Sequence, residues 1–282
     1  MTTEEQVEPG TTAPSLPATA TSIKGGRIAR LSRNYGVAAL FLLFLIGLWE
    51  FYVWAFHVPT YLIPSPSKIA VAMKEDWAPY LASATWVTLK EVLIGFVVAI
   101  LAGLGLSVVL HLFGPLRRAV YPLLIMSQTI PIVVLAPALV ILLGYGLAPK
   151  LVIVALICFF PIVVNGLDGL RSVDEDYIRM MRTLDASRWA IFRRIEFPSA
   201  LPLIFSGLRI AATFAAIGAV FGEWSGASAG LGFVMLESTP NLQTARIFAA
   251  IFILTTIALL LFGLVSLLER IFVPWAPRGG SM

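Results

Sequence analysis

"MRTLDASRWAIFRRIEFPSALP", residues 181–202, is a charged, amphipathic stretch in a chain that is otherwise almost continuously apolar. Residues 171–196 hold six basic and five acidic residues, although charged residues make up only 13% of the whole chain. Apolar side chains recur through the stretch at helical spacing. The run from Asp185 to Ser187 offers N-cap residues for a helix that begins near Arg188, and Pro198 is expected to end that helix. The pattern predicts a short amphipathic helix between two longer apolar segments.

The composition around this stretch is that of an integral membrane protein. Hydrophobic residues make up 59% of the chain and the mean hydropathy is +0.89, whereas soluble domains carry about 25% charged residues. The net charge of +4 is explained by basic residues at the cytoplasmic ends of membrane helices, so we expect no nucleic-acid binding. The one cysteine, Cys158, offers no disulfide framework and no cysteine-based metal site.

Six apolar stretches are long enough to cross about 30 Å of hydrocarbon as helices. They lie at about residues 36–56, 88–112, 119–143, 150–170, 201–222 and 246–272. Lysine and arginine collect before the first stretch, between the second and third, and between the fourth and fifth, which predicts that these loops and both termini are cytoplasmic. Glu91 and Lys150 then fall at the membrane interface on the opposite side.

The predicted fold is all-α: a polytopic membrane protein with six transmembrane helices and a cytoplasmic helix between helices four and five. The predicted organisation, in chain order, is a disordered, basic-ended cytoplasmic tail (1–34), a first transmembrane helix (35–57), an external loop (58–87), a transmembrane core (88–272) that contains the cytoplasmic loop 171–200, and a cytoplasmic tail (273–282).

Small and helix-breaking residues mark several of these helices. Pro131, Pro137 and Pro161 predict kinks in helices three and four. A stripe of small residues on helix five predicts close helix packing, either within the subunit or across a dimer. The stripe consists of Gly207, Ala211, Ala215 and Ala219. The segment 223–245 is expected to form a short re-entrant or interfacial element.

Catalytic chemistry finds little support in the sequence. Residues 226–230 fit the G-x-S-x-G pattern of serine hydrolases, but that pattern needs a preceding strand and a convergent histidine. His111 is predicted at the opposite membrane face, and His57 lies in a loop. No phosphate-binding loop and no metal-ligand spacing occur. We therefore expect no catalytic residue, no metal and no cofactor in this chain.

Polar residues within or beside the predicted spans are candidates for lining a translocation path, because such groups are costly in hydrocarbon. A structural partner in a neighbouring helix is the alternative for Glu50, and the neutral groups beside the prolines could equally serve packing. The candidates are Glu50, Gln128, Thr129, Asn165, Glu223 and Trp224.

The segment "RTLDASRWAIFRRIEFPSALPLIFSGLRIA" resembles the cytoplasmic EAA loop of type I ABC importer permeases. The resemblance extends over about residues 60–272 and includes "IPSPSKI", "QTIPIVVLAPALVILLGYG", "FFPIVVNGLDGLRSVDEDY" and "FGEWSGASAGLG". Two departures stand out. The motif's glutamate and two alanines are replaced by Arg179, Met180 and Met181, and its glycine is replaced by Asp185.

The resemblance implies a coupling helix that contacts a separate cytoplasmic ABC ATPase subunit. ATP and Mg²⁺ would bind to that ATPase, and an extracytoplasmic solute-binding protein would deliver the substrate to a homodimer in the plasma (inner) membrane of a prokaryote. The departures imply a subfamily with its own matched ATPase. The implied ATPase-coupling residues are Thr183, Leu184, Asp185, Ala186, Ser187, Trp189 and Phe192, with Pro198 and Pro202 closing the motif.

The substrate is less narrowly defined than the family. The sequence resembles the nitrate, sulfonate, taurine, riboflavin and thiamine-precursor group, and "FRRIEFP" and "FSGLRIAATFAAIGAVFGEW" resemble most the permeases for hydroxymethylpyrimidine-type thiamine precursors. A neutral pyrimidine also suits a path without a basic cluster at mid-membrane. Import of nitrate, sulfonate, taurine or riboflavin by the same architecture, a standalone secondary carrier and a membrane serine hydrolase are the alternatives.

Overall fold

The computed structural model describes residues 24–275, and all the regular structure in that range is helical. The chain divides into two units, one ending at Phe51 and one starting at Tyr52. The first unit contains most of α1 (Lys24–Ala55), whose apolar part is Ala39–Ala55. The predicted disorder of the N-terminal tail concerns residues that mostly lie outside the described range, as do residues 276–282 of the C-terminal tail.

Within residues 52–275, the second unit contains the end of α1 and ten further α-helices. A π-helical turn, Trp77–Leu81, leads into α3, and a second, Phe192–Glu196, joins α8 to α9. The helices are α2 (Pro66–Glu75), α3 (Ala82–Leu112), α4 (Gly114–Ser127), α5 (Ile132–Leu143), α6 (Leu147–Arg171), α7 (Glu175–Thr183), α8 (Arg188–Ile191), α9 (Phe197–Trp224), α10 (Leu231–Ser238) and α11 (Thr244–Phe272).

Four helical runs are long and apolar enough to cross a membrane. They are Trp77–Leu112, Leu147–Arg171, Arg188–Trp224 and Thr244–Phe272. A fifth results if α4 and α5 together form one broken span. The described residues therefore hold four or five spans, whereas the sequence predicts six. The arrangement of six spans stays a prediction. The second predicted span begins earlier than residue 88, because the helical run starts at Trp77.

The third predicted span, 119–143, is not one helix. The chain bends by 101° between α4 and α5, where residues 128–131 interrupt the helix. Pro131 adopts an extended backbone (φ −62°, ψ 123°), and as a proline it has no N–H to donate to the preceding turn. The sequence predicts a kink here, and the structure corrects it to a full break.

Pro198 does not end the amphipathic helix, contrary to the prediction. The helix runs without interruption from Arg188 to Trp224, and Pro198 lies in the first turn of α9. Because the π-helical turn and α9 are continuous, Pro198 removes one backbone hydrogen bond from this helix without ending it. The π-helical turn before it bonds the N–H of Phe197 to the carbonyl of Phe192, which joins the two helices.

The core of the second unit is the packing of α6 between α3 and α9, with α11 on the far side of α9. The small-residue stripe on α9 faces α6, which confirms the predicted close packing and places it within the subunit. A Cβ on Gly207 would lie 2.7 Å from the carbonyl oxygen of Pro161. Ala211, Ala215 and Ala219 are fully buried.

Helix direction gives this bundle two ends. The connection between α6 and α9, residues 172–196, lies at what we call the connection end, where α3 and α11 also finish. The opposite end holds the starts of α3, α6 and α11 and the finish of α9. There, Arg246 of α11 forms a bidentate ion pair with Asp76, at 2.8 and 2.9 Å.

Candidate functional site

The connection between α6 and α9, at the connection end, begins with a capped helix. Asp174 accepts a hydrogen bond from the backbone N–H of Asp176 (2.9 Å) at the start of α7. At its finish, the N–H of Ala186 donates to the carbonyl of Met181 (3.1 Å), and the N–H of Asp185 donates to the carbonyl of Arg182 (3.1 Å). This pair of bonds is the Schellman motif that closes a helix C-terminus.

Asp185 occupies the position in that motif where the backbone turns left-handed. Its φ is +55°, a region that glycine enters freely and that aspartate and asparagine tolerate better than other residues. Asp185 also stands where the importer motif has glycine. The substitution therefore keeps the backbone conformation that the motif requires and adds a charge.

Ser187 caps the next helix, as predicted. Its hydroxyl accepts a hydrogen bond from the N–H of Ala190 (3.3 Å), and α8 starts at Arg188. Trp189 is 66% exposed and its ring stacks on Phe192 at a centroid distance of 5.5 Å. Phe192 itself is buried and lies beneath the surface of the connection. Trp189 and Leu184 are exposed and face outwards.

Two polar contacts tie this connection to the finish of α3. The guanidinium of Arg188 donates to the carbonyl oxygen of Leu112 (3.1 Å). Nε2 of His111 lies 2.9 Å from a carboxylate oxygen of Glu196. The helix that carries Trp189 is thus held at its base by two different spans, α3 and α9.

At the opposite end, a buried polar cluster joins α3, α6 and α9. The ammonium group of Lys150 donates to Oε1 of Glu91 (2.7 Å), and the hydroxyl of Thr88 donates to Oε1 of Glu223 (2.6 Å). All four residues are at least 93% buried. Charged side chains this deep are stable only when they are paired and hydrogen-bonded.

Glu223 also holds the start of α10. Its Oε2 accepts hydrogen bonds from the backbone N–H groups of Gly232 and Phe233, which are otherwise unsatisfied donors of the first helical turn. Gly230 precedes this helix with φ +123°, and a Cβ there would lie 2.2 Å from the Glu223 carboxylate. The carboxylate therefore needs a glycine at residue 230.

A cavity of about 640 Å³ opens between α9, α10 and α11. Phe221 and Trp224 contribute aromatic rings to its wall, and among the described residues no charged one lines it. Its three threonine hydroxyls each donate to a carbonyl of their own helix, and the Trp224 N–H donates to Gly232. Only acceptor lone pairs remain on the hydroxyls. The threonines are Thr213, Thr239 and Thr255.

The predicted path residues of the second unit do not converge on one place. Glu50 lies on α1, Gln128 and Thr129 are exposed at the break between α4 and α5, and Asn165 donates to the Pro161 carbonyl (2.8 Å) within α6. Glu223 belongs to the buried cluster, whereas its neighbour Trp224 lines the cavity.

Sequence reasoning missed the contacts within the buried polar cluster. It placed Glu91 and Lys150 at the membrane interface, and it did not consider Thr88. The one signal in the sequence is that Glu91, Lys150 and Glu223 lie near the same predicted membrane face. Nothing in the sequence shows which of them contact each other.

The hydrolase alternative lacks its structural context. Residues 226–230 connect α9 to α10, so a helix and not a strand precedes Ser228. Within residues 24–275, no three histidine, cysteine or acidic side chains group as metal ligands.

Comparison with known proteins decides the family. Residues 95–275 match the family described as binding-protein-dependent transport system inner membrane component. The chain belongs to this family. It is 38% identical to the formylaminopyrimidine transport permease protein ThiX of Halalkalibacterium halodurans, over 85% of this chain and 95% of that protein. It is 33% identical to the riboflavin transport system permease protein RibX of Chloroflexus aurantiacus, over 83% and 88% of the two chains.

The fold of this binding-protein-dependent permease matches a solved importer. An inward-facing structure of the MetNI methionine ABC transporter superposes with a TM-score of 0.62 at 19% identity, covering 70% of this chain and 98% of that one. The structural match shows that the chain has the fold of this ABC importer permease. Family membership and the relatives named as transport permeases make it a membrane transport subunit and not an enzyme. Family membership implies an ATPase subunit and a solute-binding protein as partners.

Proposed function

We propose that this permease is one half of a six-span-per-subunit homodimer that imports a neutral heteroaromatic nutrient through a central path. Both termini lie in the cytoplasm, and the ATPase, which binds ATP and Mg²⁺, docks on α8. The observation that carries the proposal is family membership, together with a helix at the connection end whose tryptophan, Trp189, is 66% exposed. An exposed tryptophan on a rigid helix is typical of a protein contact.

The proposed substrate class is a pyrimidine precursor of thiamine. A relative that is 38% identical transports formylaminopyrimidine. The cavity between α9, α10 and α11 supports the same class, because it offers aromatic faces and hydrogen-bond acceptors without a positive charge. An amine-bearing ring satisfies those acceptors. Nitrate, sulfonates and taurine would each bring a negatively charged group that the cavity does not match.

Riboflavin is the second candidate, since another relative, 33% identical, belongs to a riboflavin transport system. Riboflavin is also an uncharged aromatic with N–H and hydroxyl donors, so the cavity chemistry alone does not separate it from a pyrimidine. Direct competition between riboflavin and the pyrimidine for uptake separates the two candidates.

The test is uptake by proteoliposomes that contain the permease, its ATPase and its binding protein. We expect ATP-dependent accumulation of labelled formylaminopyrimidine that excess taurine does not inhibit. Preferential accumulation of riboflavin would move the assignment to the second candidate. Uptake that continues without ATP would contradict the importer mechanism and indicate a secondary carrier.

A pair of variants tests the role of the cavity in that uptake. Thr213→Val with Thr255→Val removes two acceptors from the wall and keeps its volume. We expect a several-fold loss of uptake, since each hydrogen bond contributes about 0.5–1.5 kcal/mol. The matched control is Thr256→Val, because Thr256 is the next residue on α11 and also donates to its own helix, but does not line this cavity. Equal losses in both proteins would exclude the cavity from the path.

A further inference from the structure

The charged side chains of the α6–α9 connection divide into those with partners and those without. Arg179 pairs with Glu175 (3.0 Å) and lies 3.7 Å from Asp176. Arg188 and Glu196 are bonded to the finish of α3. Among the described residues, none pairs with the three remaining arginines, all of which are exposed. These are Arg182, Arg193 and Arg194.

The unpaired arginines flank the exposed apolar side chains of the same connection. Leu184 is 71% exposed two residues after Arg182, and Trp189 lies one helical turn before Arg193. Asp185 is the one exposed acidic residue beside them without a partner in the described part of the chain. We call Leu184, Trp189 and the three arginines the arginine-rimmed surface. The three unpaired arginines and Arg188, whose partner is an uncharged carbonyl oxygen, stand against the one negative charge of Asp185 and leave a net charge of +3.

The length of the helix separates this surface from the lipid. The 28 residues of α9 rise about 42 Å, which already exceeds the hydrocarbon thickness of about 30 Å. Residues 188–196 continue the same helix beyond that length. Anionic lipid headgroups would account for the arginines, but they would not account for an exposed leucine and tryptophan at this position. A protein partner accounts for both.

We propose that the arginine-rimmed surface fits an apolar groove whose rim carries carboxylates, and that this groove belongs to the ATPase subunit. The inference rests on the proposed function and specifies the chemistry of its docking contact. Leucine and tryptophan fill the centre of such a contact, whereas arginines at its rim set partner choice and the rate of association. Arg179 takes no part, because acids on its own helix already neutralise it.

The experiment measures association of the full-length permease with the purified ATPase subunit of the same importer at low and high salt. Arg182→Glu, Arg193→Glu and Arg194→Glu should each weaken association about tenfold at low salt and less at high salt, because rim charges are screened. Substitution of a rim carboxylate of the ATPase by arginine should restore binding of the matching variant. Lys74→Glu is the matched control: it makes the same change of charge at an exposed residue of α2, at the opposite end of the bundle, and should bind as the wild type does.

The possible outcomes separate this inference from the proposed function. If the wild type binds the ATPase and the three variants bind equally well, the acidic rim is refuted and the importer assignment stands. If the wild type does not bind the ATPase, the proposed function fails as well. The same measurement in nanodiscs of neutral lipid and of anionic lipid tests whether lipid headgroups bind the arginines instead. If the variants weaken ATPase association only in anionic lipid, the arginines bind headgroups and the proposal is overturned. Monodisperse permease in size-exclusion chromatography shows that each variant is folded.

Discussion

Asp185 shows how one residue preserves a motif while changing its chemistry. Its left-handed backbone costs most L residues about 1–2 kcal/mol, and a β-branched side chain fits it worst. We expect Asp185→Gly to keep the turn between α7 and α8, and Asp185→Val to loosen it. Amide hydrogen exchange over residues 184–188 measures the difference, and Asp185→Asn serves as a control that removes only the charge. Equal protection in the glycine and valine variants would contradict the conformational role.

Trp189 and Phe192 stack on each other but serve different purposes. Trp189 is 66% exposed and Phe192 is 8% exposed. We expect Trp189→Ala to leave thermal stability nearly unchanged and to weaken ATPase association by about 2 kcal/mol or more, as for an interface hot spot. Phe192→Ala removes a buried ring and should cost about 3–5 kcal/mol of unfolding free energy.

Thermal unfolding and ATPase co-purification, measured on the same preparations, separate the two effects. Normal co-purification of Trp189→Ala would remove Trp189 from the docking contact. A Phe192→Ala protein as stable as the wild type would contradict its burial.

At the scale of elements, the Glu91–Lys150 pair fastens the start of α3 to the start of α6. Lys150→Met leaves a buried carboxylate without its cation and should destabilise the fold by about 3–5 kcal/mol. Glu91→Met with Lys150→Met replaces the whole pair by apolar side chains and should recover most of that loss.

Thermal unfolding in one detergent compares these proteins, with Lys90→Met as the control. Lys90 is the exposed neighbour of Glu91 on α3 and its ammonium lies 5.0 Å from the centroid of the Trp86 ring, so its loss should cost no more than about 1 kcal/mol. A double variant no more stable than Lys150→Met would show that the ion pair itself, and not the isolated charge, governs stability.

Over the whole molecule, the sequence predicted what depends on local chemistry and missed what depends on distant contacts. The Ser187 cap and the small-residue stripe are local patterns, and both are confirmed. The consequence of Pro198 was mispredicted because it depends on a π-helical turn that has no sequence signature. The buried polar cluster was missed because Thr88 lies 135 positions from Glu223 in the chain and Glu91 pairs with Lys150 across 59 positions. Only the packing of three helices brings these residues together.

The uninterrupted helix from Arg188 to Trp224 acts as a lever between the two ends of the bundle. Its 37 residues span about 55 Å, so a tilt of about 10° pivoting at Arg188 displaces the far end by about 10 Å. The far end carries Glu223, which holds the first turn of α10. If this helix tilts as one rigid body, a small rotation near Arg188 therefore becomes a displacement about as wide as a helix at the opposite end of the bundle.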